Sequence, residues 1–211
     1  MRIVILMLLP LLAAAQMTPR FARVDQLFAE HMERTKYPGM VYGVVMDGKL
    51  VHVKATGVQD WETKSPVTPK SVFRIASMTK SFTVLAILKL RDEGKVSLDD
   101  PVTKFIPAAR GLRLPTADSP AITVRHLLTH SEGFPEDNPW GDRQLAIPEA
   151  TLDAWLEKGF PFSTAPGTAY EYSNYGFALL GRIVARASGR DYKEYLEQEI
   201  LRPLGMTSSY L

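Results

Sequence analysis

A chain of 211 residues with 45% hydrophobic and 23% charged side chains has the make-up of a soluble globular protein of one or two domains. Its 25 basic and 23 acidic residues leave a net charge of +2, and no basic run or basic–aromatic patch is present, which argues against a nucleic-acid surface. It has no cysteine, which excludes disulfides, thiol catalysis and thiolate metal sites.

The N-terminus, MRIVILMLLPLLAAAQ, has one arginine, an apolar run, and small residues at Ala13 and Ala15. This is the layout of a secretory signal peptide over residues 1–15, cleaved before Gln16. The run is shorter than the about 20 residues a membrane-spanning helix needs. A short anchor or a buried N-terminal helix is the alternative. Cleavage would leave residues 16–211 exported, periplasmic or extracellular, with no stable membrane insertion.

Residues 21–36 carry Phe21, Val24, Leu27, Phe28 and Met32 at helical spacing and predict an amphipathic helix stopped by Pro38-Gly39. Two β-rich runs, near 41–46 and 49–55, flank Asp47-Gly48 and predict a hairpin with a type I′ turn. Glycines and prolines mark loops from Gly57 to Pro69, and Phe73–Ala76 reads as extended. A strong helix follows from Met78 to Arg91, closed by Gly94. A short helix is expected within VSLDDPVTKFIP, and another in TVRHLLTH with Thr123 as N-cap. Ser131–Pro148 is a long Pro/Gly-rich loop, and residues 149–158 form a helix broken by Gly159 and Pro161. The loop PGTAYEYSN then precedes two helices, YGFALLGRIVARASG and DYKEYLEQEILRPLG. Strands therefore cluster before residue 76 and helices after it, an α+β pattern. A lone hairpin is marginal and leaves its edges open, so further strands are expected outside these residues.

Within FRIASMTKSFT, Ser77 stands three residues before Lys80 at the mouth of the helix. Residues three apart on a helix share a face, so Lys80 can reach the Ser77 hydroxyl. A serine hydroxyl is a weak nucleophile until a base takes its proton. A lysine serves as that base where burial and a helix N-terminus disfavour the ammonium form. The plain alternative is a capping serine and a solvated lysine. Tyr172-Ser173-Asn174 is the second element. A tyrosine beside an ammonium can act as base or proton shuttle, and an asparagine amide can hold a substrate carbonyl or fix the lysine. The plain alternative there is Asn174 as an N-cap.

Taken together, Ser77-x-x-Lys80 and Tyr172-x-Asn174, set in FRIASMTKSFT, ITVRHLLTHSEGF and PGTAYEYSNYGFALLGRIV, resemble the serine β-lactamase and penicillin-binding-protein superfamily. The closest likeness is to its class C β-lactamase, D-alanyl-D-alanine carboxypeptidase and esterase branch. The resemblance runs from about residue 21 to the C-terminus. It implies a β-lactamase-like α+β fold whose antiparallel sheet is incomplete here, beside a large helical region. It implies that Ser77 is acylated, that Lys80 and Tyr172 share the proton transfers, and that Asn174 positions substrate and lysine. The Ser77 N–H would form half of an oxyanion hole. No cofactor or metal is implied, and the partner is a small-molecule or peptide substrate such as a β-lactam, a D-amino-acid peptide or an ester.

One departure stands out. The superfamily's third motif, Lys-Thr-Gly or a His-x-Gly variant, lines the pocket on a strand and supplies the second oxyanion donor. No lysine or histidine here is followed two residues later by glycine. Residues 16–211 are therefore expected to be the N-terminal part of a longer hydrolase domain, with little turnover of their own. The alternative is a non-catalytic penicillin-recognising sensor or an inactive fragment.

Other candidates are weaker. His126 and His130 are spaced like two helical metal ligands, but no glutamate follows His126 and no third ligand is suggested. No Gly-x-Ser-x-Gly elbow surrounds Ser77. His31 and His52 read as packing or surface residues. Trp61, Trp140 and Trp155 read as core or pocket rim, with Trp140 the best placed to face substrate.

Overall fold

The computed structural model describes residues 9–137 and 147–211. The chain divides into two compact units, one up to Arg74 and one from Ile75 onward.

In the first unit, helix α1 spans Leu9–Thr35. It begins well before residue 21, because the leucine- and alanine-rich stretch ahead of the amphipathic pattern favours helix. Strands β1 (Gly39–Met46) and β2 (Lys49–Gly57) form a two-stranded antiparallel hairpin. Asp47 at φ 50° and Gly48 at φ 71° both adopt the left-handed conformation a type I′ turn requires. The register slips between Val44 and Val45, so Val44 faces His52 while Val45 faces Leu50. Tyr42, His52 and Lys54 therefore share one face, and all three bind the Asp25 carboxylate of α1, at 2.6, 2.7 and 3.0 Å. Phe28 stacks on Tyr42 and Phe21 on His52, with centroids 4.0 and 4.8 Å apart. His52 thus packs in a clasp between helix and hairpin, while His31 is in an exposed bond with Arg34. The opposite hairpin face is apolar, with Val45 65% and Leu50 62% exposed. Trp61, expected in a core or at a pocket rim, is exposed, with the Lys64 ammonium over its ring.

The second unit is helical. A 3-10 turn, Ala76–Met78, leads into α2 (Thr79–Asp92). In the segment 96–107, expected as one short helix, only the 3-10 turn Val102–Lys104 forms, and a second 3-10 turn, Pro107–Gly111, follows from its last residue. Helix α3 (Val124–Leu128) carries a capping box in which Thr123 and His126 each bond the other's backbone N–H. Helix α4 covers Glu149–Lys158. Helix α5 (Asn174–Ser188) ends at left-handed Gly189. Helix α6 (Tyr192–Leu196) passes into a π turn over Glu197–Leu201. Ala86, Ile87 and Leu90 of α2 and Leu179, Leu180, Ile183 and Val184 of α5 meet in one core, which Leu127, Phe134, Leu156 and Tyr175 extend. Trp155 packs against that core, and Trp140 lies outside the described residues. Among the described residues no helix is long and apolar enough to cross a membrane.

Candidate active site

Ser77 sits at a sharp entry into α2. Ala76 before it has φ 45°, a left-handed conformation that costs a non-glycine residue about 1–2 kcal/mol. Such strain persists only where the surroundings impose it. Met78 N–H closes the turn on Ile75 O at 3.1 Å, and α2 is anchored beneath by its buried residues and by a 2.7 Å bond from Thr83 to Tyr192. The Ser77 N–H falls among the first amides of a helical turn, which have no intrahelical acceptor. No side chain caps this turn or α2, so Ser77 is not a capping serine.

The Ser77 hydroxyl instead lies 2.6 Å from the Tyr172 hydroxyl and 3.2 Å from Lys80 Nζ. Lys80, in the first turn of α2, donates to Tyr172 Oη at 2.7 Å and to Asn174 Oδ1 at 2.6 Å. Its Nζ also lies 4.7 Å from the Tyr172 ring centroid and 5.4 Å from that of Phe177. The four residues singled out by the sequence therefore meet. Ser77 is exposed, and the other three are partly buried.

The N-terminus of α5 shows how Asn174 comes to face the lysine. Ser173 is the N-cap, accepting from Gly176 N–H at 2.9 Å. Asn174, one possible N-cap on sequence grounds, is thereby the first helical residue, and its amide is left for Lys80. The buried carboxylate of Asp137 accepts from Asn174 N–H at 2.7 Å, Tyr175 N–H at 2.8 Å and the Ser173 hydroxyl at 3.4 Å. An anion on the free amides of a helix start is well placed electrostatically.

His130 supports the same segment from the other side. It is buried, with φ 53°. Its Nδ1 accepts from Ser173 N–H at 3.0 Å, and its ring stacks on Tyr172 with centroids 4.7 Å apart. Burial first, and Lys80 second, lower its basicity. His126 is otherwise employed in the α3 capping box, and the described residues contain no group of three or more His, Asp or Glu suited to a metal ion.

Glu132 is fully buried, and neither carboxyl oxygen has a hydrogen-bond partner. It lies against Gly176, where a Cβ would overlap Oε1. Burial pushes its carboxyl up to about 8, outweighing the nearby Ser173 hydroxyl, which favours the carboxylate without completing a hydrogen bond. Sequence reasoning missed Asp137, His130 and Glu132 as supports. Asp137 and Glu132 lie in a loop without periodicity, and Asp137 is 37 residues from Asn174. The one available signal was the run of chemistry-bearing side chains from His130 to Asp137, which follows a helix and contains Pro135.

The arrangement can accept the proton of a serine hydroxyl. Ser77 Oγ faces open space on one side and two potential proton carriers on the other.

Residues 24–211 match the Beta-lactamase family model. Esterase EstB of Burkholderia gladioli is 32% identical over 197 residues, covering 88% of this chain and 50% of that protein. Protein flp of Staphylococcus aureus is 32% identical over 186 residues, covering 88% of this chain and 37% of flp. The octameric penicillin-binding protein homologue from Pyrococcus abyssi superposes with a TM-score of 0.76 at 36% identity, over 89% of this chain and 43% of its own. A class C β-lactamase gives 0.76 at 30% identity, over 89% and 49%. The chain thus spans half or less of the length of these relatives. It has the β-lactamase-like α+β fold, with a two-stranded antiparallel sheet among the described residues, and it belongs to the Beta-lactamase family.

Proposed function

We propose that this protein is an exported serine acyl hydrolase working through a covalent acyl-Ser77 intermediate on a β-lactam, a D-amino-acid peptide or an ester. The supporting observation is the Ser77 hydroxyl held 2.6 Å from Tyr172 Oη and 3.2 Å from Lys80 Nζ, with Lys80 fixed by Asn174. In acylation the Ser77 oxygen bonds to the carbonyl carbon as its proton passes to the Tyr172–Lys80 pair. The tetrahedral intermediate collapses, the bond to the leaving amine or alkoxide breaks, and the pair returns the proton to that group. Water, deprotonated by the same pair, then cleaves the ester and regenerates Ser77. Asn174 holds Lys80 and is free to meet the substrate's own amide. The Ser77 N–H supplies one oxyanion donor, a contribution of roughly 10²–10³ in rate where such donors are complete. Export rests on the N-terminal sequence pattern.

A second reading is a penicillin-recognising domain that is acylated without turnover, or a chain with no activity. It is favoured by the absence of any lysine or histidine two residues before a glycine, the pattern that carries the second oxyanion donor in related proteins. The discriminating experiment combines a fluorescent penicillin and a fluorophosphonate with turnover assays on an ester and a cephalosporin. Labelling of Ser77 together with turnover, both lost in Ser77→Ala, supports the acyl hydrolase. Labelling without turnover favours a sensor, and no labelling refutes the acyl-Ser77 reading.

A further inference from the structure

We infer that His130 is a positioning residue for this site, and that its imidazole must be neutral for Tyr172 and Asn174 to keep hold of Lys80. The inference rests on the acyl-Ser77 reading for its kinetic consequence, but the geometry stands apart from it.

Nδ1 of His130 accepts a hydrogen bond from the Ser173 amide at 3.0 Å, so that nitrogen carries no proton and the ring is the Nε2–H tautomer. Ser173 lies between the two residues that bind Lys80. The ring also stacks on Tyr172 at 4.7 Å, lies 4.9 Å from Phe177 of α5, and meets Tyr170 edge-on at 5.5 Å. The His130 carbonyl accepts Glu171 N–H at 2.8 Å, tying the approach to Tyr172 to the same residue. The titratable and charged groups that face the imidazole are Lys80 from α2, Asp137 from the loop, and Tyr170 and Tyr172 from the segment entering α5. Lys80 disfavours a second cation there, and Asp137 favours one.

Protonation places a donor on Nδ1 opposite the Ser173 N–H donor. The bond becomes a repulsion, and a cation is set beneath Tyr172 and beside Lys80. Burial and Lys80 make this happen only below the ordinary histidine range, so the site is intact at neutral pH and fails on acidification.

The test compares wild type with His130→Asn on the 211-residue chain. Asparagine places an Oδ1 acceptor near the position of Nδ1, tolerates the left-handed backbone, and does not titrate. Rates of Ser77 labelling by a fluorophosphonate are measured against pH, and the ratio of variant to wild type cancels any titration of the Lys80–Tyr172 pair. We expect that ratio to be flat at neutral pH and to rise about tenfold per pH unit below the imidazole's titration point. In parallel, the Ser173 amide and Tyr172 ring resonances of wild type should move with the His130 imidazole signal, and should stay still in the variant. A ratio flat to acid pH overturns the inference. If wild type is not labelled at any pH, the acyl-Ser77 reading fails. The resonances then decide alone, and Ser173 and Tyr172 signals indifferent to His130 titration overturn the positioning role.

Discussion

Glu132→Gln tests the buried acid beneath the start of α5. The wild-type carboxyl is pushed from 4.5 up to about 8, chiefly by burial. Between those values the folded chain keeps a proton that the unfolded chain releases. Wild-type stability is therefore fully present below about pH 4.5 and is lost as pH rises toward about 8. The slope is about 1.4 kcal/mol per pH unit, or on the order of 4 kcal/mol over three units. Glutamine has a similar shape and exchanges no proton, so its own packing cost enters as a constant offset. Urea unfolding followed by circular dichroism, at steps from about pH 5 to about pH 8, gives the difference between the two proteins. We expect wild type to lose ground to the variant at that slope. Parallel stability curves would show that the Glu132 carboxylate is satisfied when ionised, and would refute the assignment of an orphaned buried acid.

Asp137→Ala removes the acceptor for two backbone amides and the Ser173 hydroxyl. A loss of about 2–4 kcal/mol in unfolding free energy is expected, together with slower labelling of Ser77. An unchanged labelling rate would mean that Asp137 does not hold the Tyr172–Asn174 segment. In the first unit, burial and then the Asp25 carboxylate push the Tyr42 phenol up to about 12. Titration followed by the Tyr42 ring NMR signal should show this phenol ionising late, and Asp25→Asn should bring it down toward 10.0. A Tyr42 that titrates alike in both proteins would show that the clasp does not form.

The sequence made some parts of the fold legible because they are local. Asp47-Gly48 fixes a turn by backbone conformation alone, and Thr123 and Gly189 bound their helices by the same kind of rule. The meeting of Ser77 with Tyr172 spans 95 residues, and no periodicity encodes it. It was legible through the family resemblance, whose two motifs are positioned by one core between α2 and α5. The supports were not legible. Asp137 acts through backbone amides, which leave no trace in residue type, and an isolated glutamate reads as a surface residue until its burial is seen. Helix starts shifted for a related reason. Ser77 reads as the first turn of an α-helix, yet Ala76 turns left-handed and the entry tightens to a 3-10 turn, a tertiary constraint that propensity does not contain.

The most direct test of the account is peptide mapping after exposure of the 211-residue chain to a penicillin. Trypsin releases Ile75–Lys80, IASMTK, in which Ser77 is the one serine. The account predicts an acyl adduct of the full penicillin mass on that peptide, absent in Ser77→Ala and slowed in Tyr172→Phe. A chain whose Ser77 peptide carries no adduct from either the penicillin or a fluorophosphonate, or that carries one equally after Ser77→Ala, contradicts it.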